Sequence, residues 1–211
     1  MNTGSGTLTA AHTGNVLSGI DAAAGNINIL NSQEQELSSL SIGAGKTVGL
    51  YTGAAAPTMP TSADEATVTT SSLTAGTDAT LNANLVLANG ATVTMAEALT
   101  MGSTVTLGTG MTLAGDLVST IKGMSEDGTV NLFTGVDALY LGDSTTASGA
   151  LDATSGVNLD TYFNFEGASD YYLGYDGQNV YAGVMQAVPE PTTATLSLLA
   201  LAALAARRRR R

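Results

Sequence analysis

Apolar and polar residues alternate along much of the chain in short runs. Leu81, Ala83, Leu85 and Leu87 alternate with Asn82, Asn84 and Val86; Val93 and Met95 with Thr92 and Thr94; Val105 and Leu107 with Thr104 and Thr106. Period two marks half-buried strands, because successive side chains of a strand point to opposite faces. Ile27 and Ile29 share a face over 26–30, and Leu40 and Ile42 do so before the Gly43-Ala44-Gly45 break. The pattern predicts mostly β structure over residues 26–187. Strands are expected near 80–87, 91–95, 103–107, 129–133, 171–175 and 179–184. Residues 54–66 hold Pro57 and Pro60 without any period, and read as a loop. One helix is expected, near 193–206, where Ala and Leu dominate.

Two of these runs look like copies. Gly90-Ala91-Thr92-Val93-Thr94-Met95 resembles Gly102-Ser103-Thr104-Val105-Thr106-Leu107 at an offset of 12 residues, with a weaker echo in Gly110-Met111-Thr112-Leu113. Short repeats punctuated by glycine suggest a mainly β fold of β-solenoid type (parallel β-helix-like), each coil resting on the next. The rival is an antiparallel β-meander, because Asn89-Gly90 is also a good hairpin turn. Further on, Tyr171 to Tyr175 and Asn179 to Val184 flank Asp176-Gly177, with Gln178 expected to open the return strand. This reads as a β-hairpin that caps the C-terminal end and covers an edge that would otherwise template aggregation.

Charge divides the chain. Residues 1–188 carry Lys46 and Lys122 against 17 acids, a net of −15, whereas residues 189–211 carry Glu190 and five arginines, a net of +4. A body this acidic cannot neutralise phosphates, which excludes nucleic acid as a partner. The absence of Cys excludes disulfide scaffolds and thiolate chemistry, and a single His excludes a His-rich metal site. With no Trp and 5% aromatics, few large side chains are left for a core. Three regions follow: 1–124, rich in Thr, Gly and Ala with β repeats; 125–187, an acidic, Tyr-rich C-terminal β cap; and 188–211, the tail.

Candidate chemistry is sparse. Gly45-Lys46-Thr47 looks like the end of a phosphate loop, but the place that needs the first glycine holds Leu40, and a strand follows instead of a helix. It reads as a turn. His12 has no nucleophile elbow to serve and reads as a surface residue. Asp137, Asp143, Asp152, Asp160, Glu166, Asp170 and Asp176 supply acids for a glycosidase pair or a calcium site only if they converge; otherwise they are a solvated surface. Thr92, Thr94, Thr104 and Thr106 are expected on one outward face, a platform for ordered water or sugar, or simply an exposed strand face. No enzyme activity, cofactor or metal is expected.

The tail is more specific. Val188-Pro189-Glu190-Pro191 stops any strand and bars a helix across the prolines. An uncharged Ala/Leu segment follows, and Arg207, Arg208, Arg209, Arg210 and Arg211 end the chain. About 15 residues of helix reach only about 22 Å, against a hydrocarbon core of about 30 Å. A short apolar segment with a basic end resembles an address more than an anchor.

In this order and position the tail resembles the PEP-CTERM sorting signal of Gram-negative bacteria. The resemblance implies export, recognition at the membrane by an exosortase, cleavage near the Pro-Glu-Pro motif after a transient membrane helix, and delivery to the cell envelope, outer surface or extracellular matrix. The same signature is known as an ice-binding-protein C-terminal domain. The body loosely resembles autotransporter-type β-strand repeats. Such proteins begin with a secretory signal peptide, whereas Met1 to Thr7 has neither a basic start nor an apolar run; either the true start lies elsewhere or, the preferred expectation, this is the C-terminal part of a longer protein. The expected function is a structural or adhesive surface protein, with exosortase, membrane and exopolysaccharide as partners. The alternatives are a carbohydrate- or ice-binding module, and the C-terminal part of a larger secreted enzyme.

Overall fold

The computed structural model describes residues 6–11, 17–30, 34–52, 65–125, 128–149, 156–165 and 170–185. Strands β1 (Thr7–Ala11), β2 (Gly19–Ala22), β3 (Asn26–Leu30), β4 (Gln35–Leu37), β5 (Ser39–Ile42), β6 (Thr47–Tyr51), β7 (Thr67–Ala75), β8 (Thr80–Asn82), β9 (Asn84–Met95), β10 (Leu99–Met101), β11 (Val105–Leu107) and β12 (Met111–Ala114) lead into helix α1 (Asp116–Lys122). Then come β13 (Thr129–Thr134), β14 (Leu139–Leu141), β15 (Val157–Asn158), a 3-10 turn at Leu159–Thr161, β16 (Phe163–Asn164), β17 (Tyr171–Tyr175) and β18 (Asn179–Val184).

The chain is mainly β, and its two sheets are not closed. The first sheet has the order β1-β3-β6-β8-β10-β13-β18-β17-β15 and the second β14-β11-β9-β7-β5-β2. Strands β12 and β16 continue from the second half of β9, and β4 lies on β7. The chain therefore passes back and forth between the sheets. Strands from β1 to β12 pair in parallel, as do β10 with β13, β11 with β14 and β12 with β16. An antiparallel meander does not pair this way. Asn89-Gly90 accordingly makes no hairpin: Gly90 (φ 72°) bends β9, whose first half pairs with β11 and whose second half pairs with β12. Among the named strands, antiparallel pairs join only β13, β18, β17 and β15.

The inward residues of both sheets form one core. Aliphatic side chains stack on aliphatic side chains in register: Ile20 on Leu40, Leu40 on Leu73, Leu73 on Val93, Val93 on Leu113. Burying such columns is the main driving force here, because large aromatics are few; Phe133 and Phe163 are the bulkiest fully buried side chains.

The vertical repeat differs from the 12-residue echo. Asn84 lies beside Thr104 and Asn89 beside Thr109, 20 residues on in each case. The weaker echo at 110–113 is thus the structural neighbour of residues 90–93, with Thr112 on Thr92 and Leu113 on Val93. The copy at 102–107 sits instead over the first half of β9, with Val105 on Leu85. Where a longer excursion intervenes the offset grows, to 34 between Thr100 and Thr134, and that interval contains α1.

Several expected strands are placed well: 129–133 falls within β13, and 171–175 and 179–184 are β17 and β18. The expected strand at 80–87 is two strands in different sheets. The chain turns at buried Ala83, and alternation survives the corner because Leu81, Ala83 and Leu85 all face the same core. The hairpin loop includes Gln178, so the return strand opens at Asn179. Helix α1 was not anticipated. The expected helix at 193–206 and most of the expected loop at 54–66 lie outside the described residues.

Candidate functional site

Helix α1 gives the second sheet a rim. Gly115 (φ 93°) swings the chain out of β12, and a Cβ there would lie 2.5 Å from the Met95 carbonyl oxygen, so the turn needs glycine. Leu117 and Ile121, one helical turn apart, are buried in the core. Asp116 opens the helix and Lys122 closes it, the order that suits the helix dipole.

The opposite wall is built by a cap. The Asn158 side chain accepts a 2.7 Å hydrogen bond from the Asp160 N–H and starts the 3-10 turn. β16 then runs beside β12, with Asn164 level with Thr112, and Asn164 Nδ2 donates to the Gly110 carbonyl at 3.1 Å. Between this wall and α1 lies a cleft of about 580 Å³, lined by Thr112, Leu113, Val118, Lys122, Asp160, Asn164 and Phe165. Lys122 Nζ stands 5.5 Å from the centre of the Phe165 ring, and Phe165 meets Tyr171 edge-on at 5.4 Å. The Tyr171 hydroxyl donates to the Lys122 carbonyl at 3.4 Å.

Polar columns run across the second sheet into this cleft. Ser72, Thr92, Thr112 and Asn164 stand in register on four neighbouring strands. Ser41, Thr74 and Thr94 form a parallel column beside them. A hollow of about 310 Å³ follows that second column to Asp116. The first sheet carries its own column, Thr47, Thr80, Thr100 and Thr134, whose last member donates from Oγ1 to Thr100 Oγ1 at 3.5 Å.

Of the four expected threonines, only Thr92 and Thr94 belong to the paired columns. Thr104 is tied to Asn84, and Thr106 lies between Val86 and Tyr140. The four do not form one array, because the two copies occupy different halves of the sheet. Sequence reasoning missed Ser72, Thr74, Thr112, Lys122 and Asn164. The signal for Lys122 was the i, i+4 pair Leu117 and Ile121 with an acid before it and a base after it; Thr112 was visible only once the 20-residue spacing was known.

The other sequence candidates are dispersed. Gly43 to Lys46 is a corner between two strands: Lys46 N–H donates to the Gly43 carbonyl and Gly45 N–H to the Thr77 carbonyl. Asp137, Asp143, Asp160, Asp170 and Asp176 are exposed, and of these Asp137 and Asp176 both lie near Tyr175. Among the described residues no three His, Cys, Asp or Glu side chains are grouped to hold a metal ion. Asp176 has a local role: its carboxylate accepts from the backbone N–H of Gln178 and Asn179 and from Asn179 Nδ2. The Asn179 side chain, chiefly, holds its carboxyl below the ordinary value, opposed by burial and aided by the backbone N–H bonds. His12, Asp152 and Glu166 lie outside the described residues, as do Val188, Pro189, Glu190, Pro191 and Arg207 to Arg211. No helix among the described residues is long and apolar enough to cross a membrane.

Comparison with known proteins reaches the part that the fold does not. Residues 187–211 match the PEP-CTERM protein-sorting motif. That motif makes this an exported protein, sorted by exosortase to the cell envelope or surface. No curated protein and no solved structure matches the chain. The likenesses to an ice-binding C-terminal domain and to autotransporter-type repeats stay resemblances.

Proposed function

We propose that the body is a non-enzymatic structural or adhesive element of a Gram-negative envelope or extracellular matrix, delivered by its tail and associated there with exopolysaccharide. The sorting-motif match carries the export half of this reading. The parallel, in-register pairing supports the other half. It fits a β-solenoid of stacked coils, finished by an antiparallel cap over part of residues 125–187. Such a body presents repeated columns of side chains suited to an extended contact surface. The tail, residues 188–211, acts as a transient membrane helix cut near Pro189-Glu190-Pro191.

The test is expression of the full chain behind a secretory signal peptide, in hosts with and without an exosortase. Mass spectrometry of the surface fraction is expected to lack the peptide bearing Arg207 to Arg211 only where the exosortase is present. An intact arginine end on surface protein in that host overturns the processing. Turnover of glycan, ester or peptide substrates that is abolished by replacing one Asp or Glu overturns the non-enzymatic reading.

A second reading has its own support. The paired columns Ser72-Thr92-Thr112 and Ser41-Thr74-Thr94 offer a regular hydroxyl face, suited to carbohydrate or to ordered water such as ice.

A further inference from the structure

We infer that the cleft between α1 and residues 159–165 is a subsite for one neutral sugar unit of a polysaccharide; this rests on the carbohydrate reading of the hydroxyl face and fixes where on that face the ligand is gripped. The cleft gathers complementary polar chemistry. The Lys122 ammonium only donates hydrogen bonds, the Asp160 carboxylate only accepts them, and the Asn164 amide and Thr112 hydroxyl do both. Neighbouring hydroxyls on a sugar ring, each donor and acceptor at once, are satisfied by such a set. Val118, only partly buried, supplies apolar wall for the C–H face of the ring. A volume of about 580 Å³ holds one pyranose and some water, within the usual range of ligand sites, about 300–1,000 Å³.

Charge decides between neutral and acidic sugars. Lys122 and Asp160 cancel within the cleft, while residues 1–188 carry −15 overall, so a polyanion is repelled by the surface it must cross. A neutral chain meets no such barrier. The geometry also supplies a path. Ser72, Thr92 and Thr112 lead into the cleft from neighbouring strands, at the strand spacing of about 4.8 Å. That step is close to the length of one hexose in an extended chain, so successive units fall beside successive hydroxyls.

The experiment is calorimetric titration of the full chain, held in mild detergent, with cellohexaose, maltohexaose and chitohexaose, and with an alginate hexamer as the anionic counterpart. At least one neutral hexamer is expected to bind. Lys122→Gln and Asp160→Asn are each expected to weaken it about tenfold, the effect of losing one hydrogen bond to a charged group, with the protein still folded and its melting temperature lowered by no more than about 4 °C. Binding of none of the neutral hexamers overturns both the cleft and the carbohydrate reading. Binding that survives both cleft variants but is lost on Thr74→Ala or Thr92→Ala overturns the cleft and leaves the hydroxyl face standing. Tighter binding of the alginate hexamer overturns the assignment to a neutral sugar.

Discussion

The ring of Tyr181 lies directly over Gly174. The two are cross-strand partners in the β17–β18 hairpin, and a Cβ at position 174 would sit 2.4 Å from Tyr181 Cζ. Tyr172 and Gly183 repeat the arrangement from the other strand, with 2.3 Å to Tyr172 Cζ. The two rings meet edge-on at 6.2 Å. Each aromatic thus fills the space of the glycine opposite, a known way to make glycine tolerable in a strand.

A methyl group at either glycine should therefore displace a ring. Gly174→Ala and Gly183→Ala are expected to destabilise the protein by about 1–3 kcal/mol, the usual cost of overpacking. Gly149 has ordinary backbone and nothing near its would-be Cβ, so Gly149→Ala should stay within about 0.5 kcal/mol. Urea midpoints of the three variants check the contrast.

The turn of the same hairpin predicts an acid dependence. Asp176 holds three N–H groups of the loop, and its carboxyl is lowered from the ordinary 3.8, first by the Asn179 side chain. A carboxyl lowered on folding adds stability that is fully present above its unfolded value and is lost as pH falls through the folded one. Asp176→Asn removes that term. The difference in melting temperature between the native chain and Asp176→Asn is expected to shrink as pH falls from about 6 to about 2. A difference independent of pH would show that the loop does not need the charge.

What could be read along the chain depended on how local its cause was. The hairpin was legible because Asp176-Gly177 makes its turn from adjacent residues. The corner at Ala83 was not, because alternation continues when a strand ends and the chain wraps around the same core. The 20-residue spacing was hidden by composition: Thr, Gly and Ala recur so often that a 12-residue echo looked as good. The cleft was the least legible part. Asn164 meets the Gly110 carbonyl across 54 residues, and that bond, with those from the Gly110 and Met111 N–H groups to the Thr161 and Tyr162 carbonyls, helps bring Asp160 and Lys122 to one place.

Asn84 tests how the coils are held together. Its Oδ1 accepts from the Ser103 hydroxyl, from Thr104 Oγ1 at 2.9 Å and from Thr104 N–H at 3.4 Å, while Nδ2 donates to the Glu65 carbonyl at 3.3 Å. One side chain joins three passes of the chain, and Ser103 is buried. Asn84→Ala leaves that hydroxyl without its acceptor and should cost about 1–3 kcal/mol. Asn89 makes a similar but exposed bond to Thr109, where water replaces the lost partner. Asn89→Ala should cost clearly less than Asn84→Ala in denaturant unfolding, and equal costs would mean that burial does not set the value of these clamps.

The last prediction concerns the arginines. On the proposed reading the uncharged segment before them enters the membrane as a helix of about 22 Å, short of the hydrocarbon core of about 30 Å. Such a helix would hold its register only if its ends were fixed by something other than length. Arg207 to Arg211 would provide that on the inner side, where basic residues are retained. The acidic body, at −15, would then lie beyond the opposite end, with Pro189-Glu190-Pro191 at the outer surface and open to cleavage. Replacing all five arginines with glutamate removes the inner hold while leaving the Pro-Glu-Pro motif and the apolar segment untouched. In an exosortase host, the processed fraction seen by mass spectrometry should fall sharply, with uncut chain appearing elsewhere. Unchanged processing would mean that the enzyme reads the motif alone, and that the arginines do not set its depth.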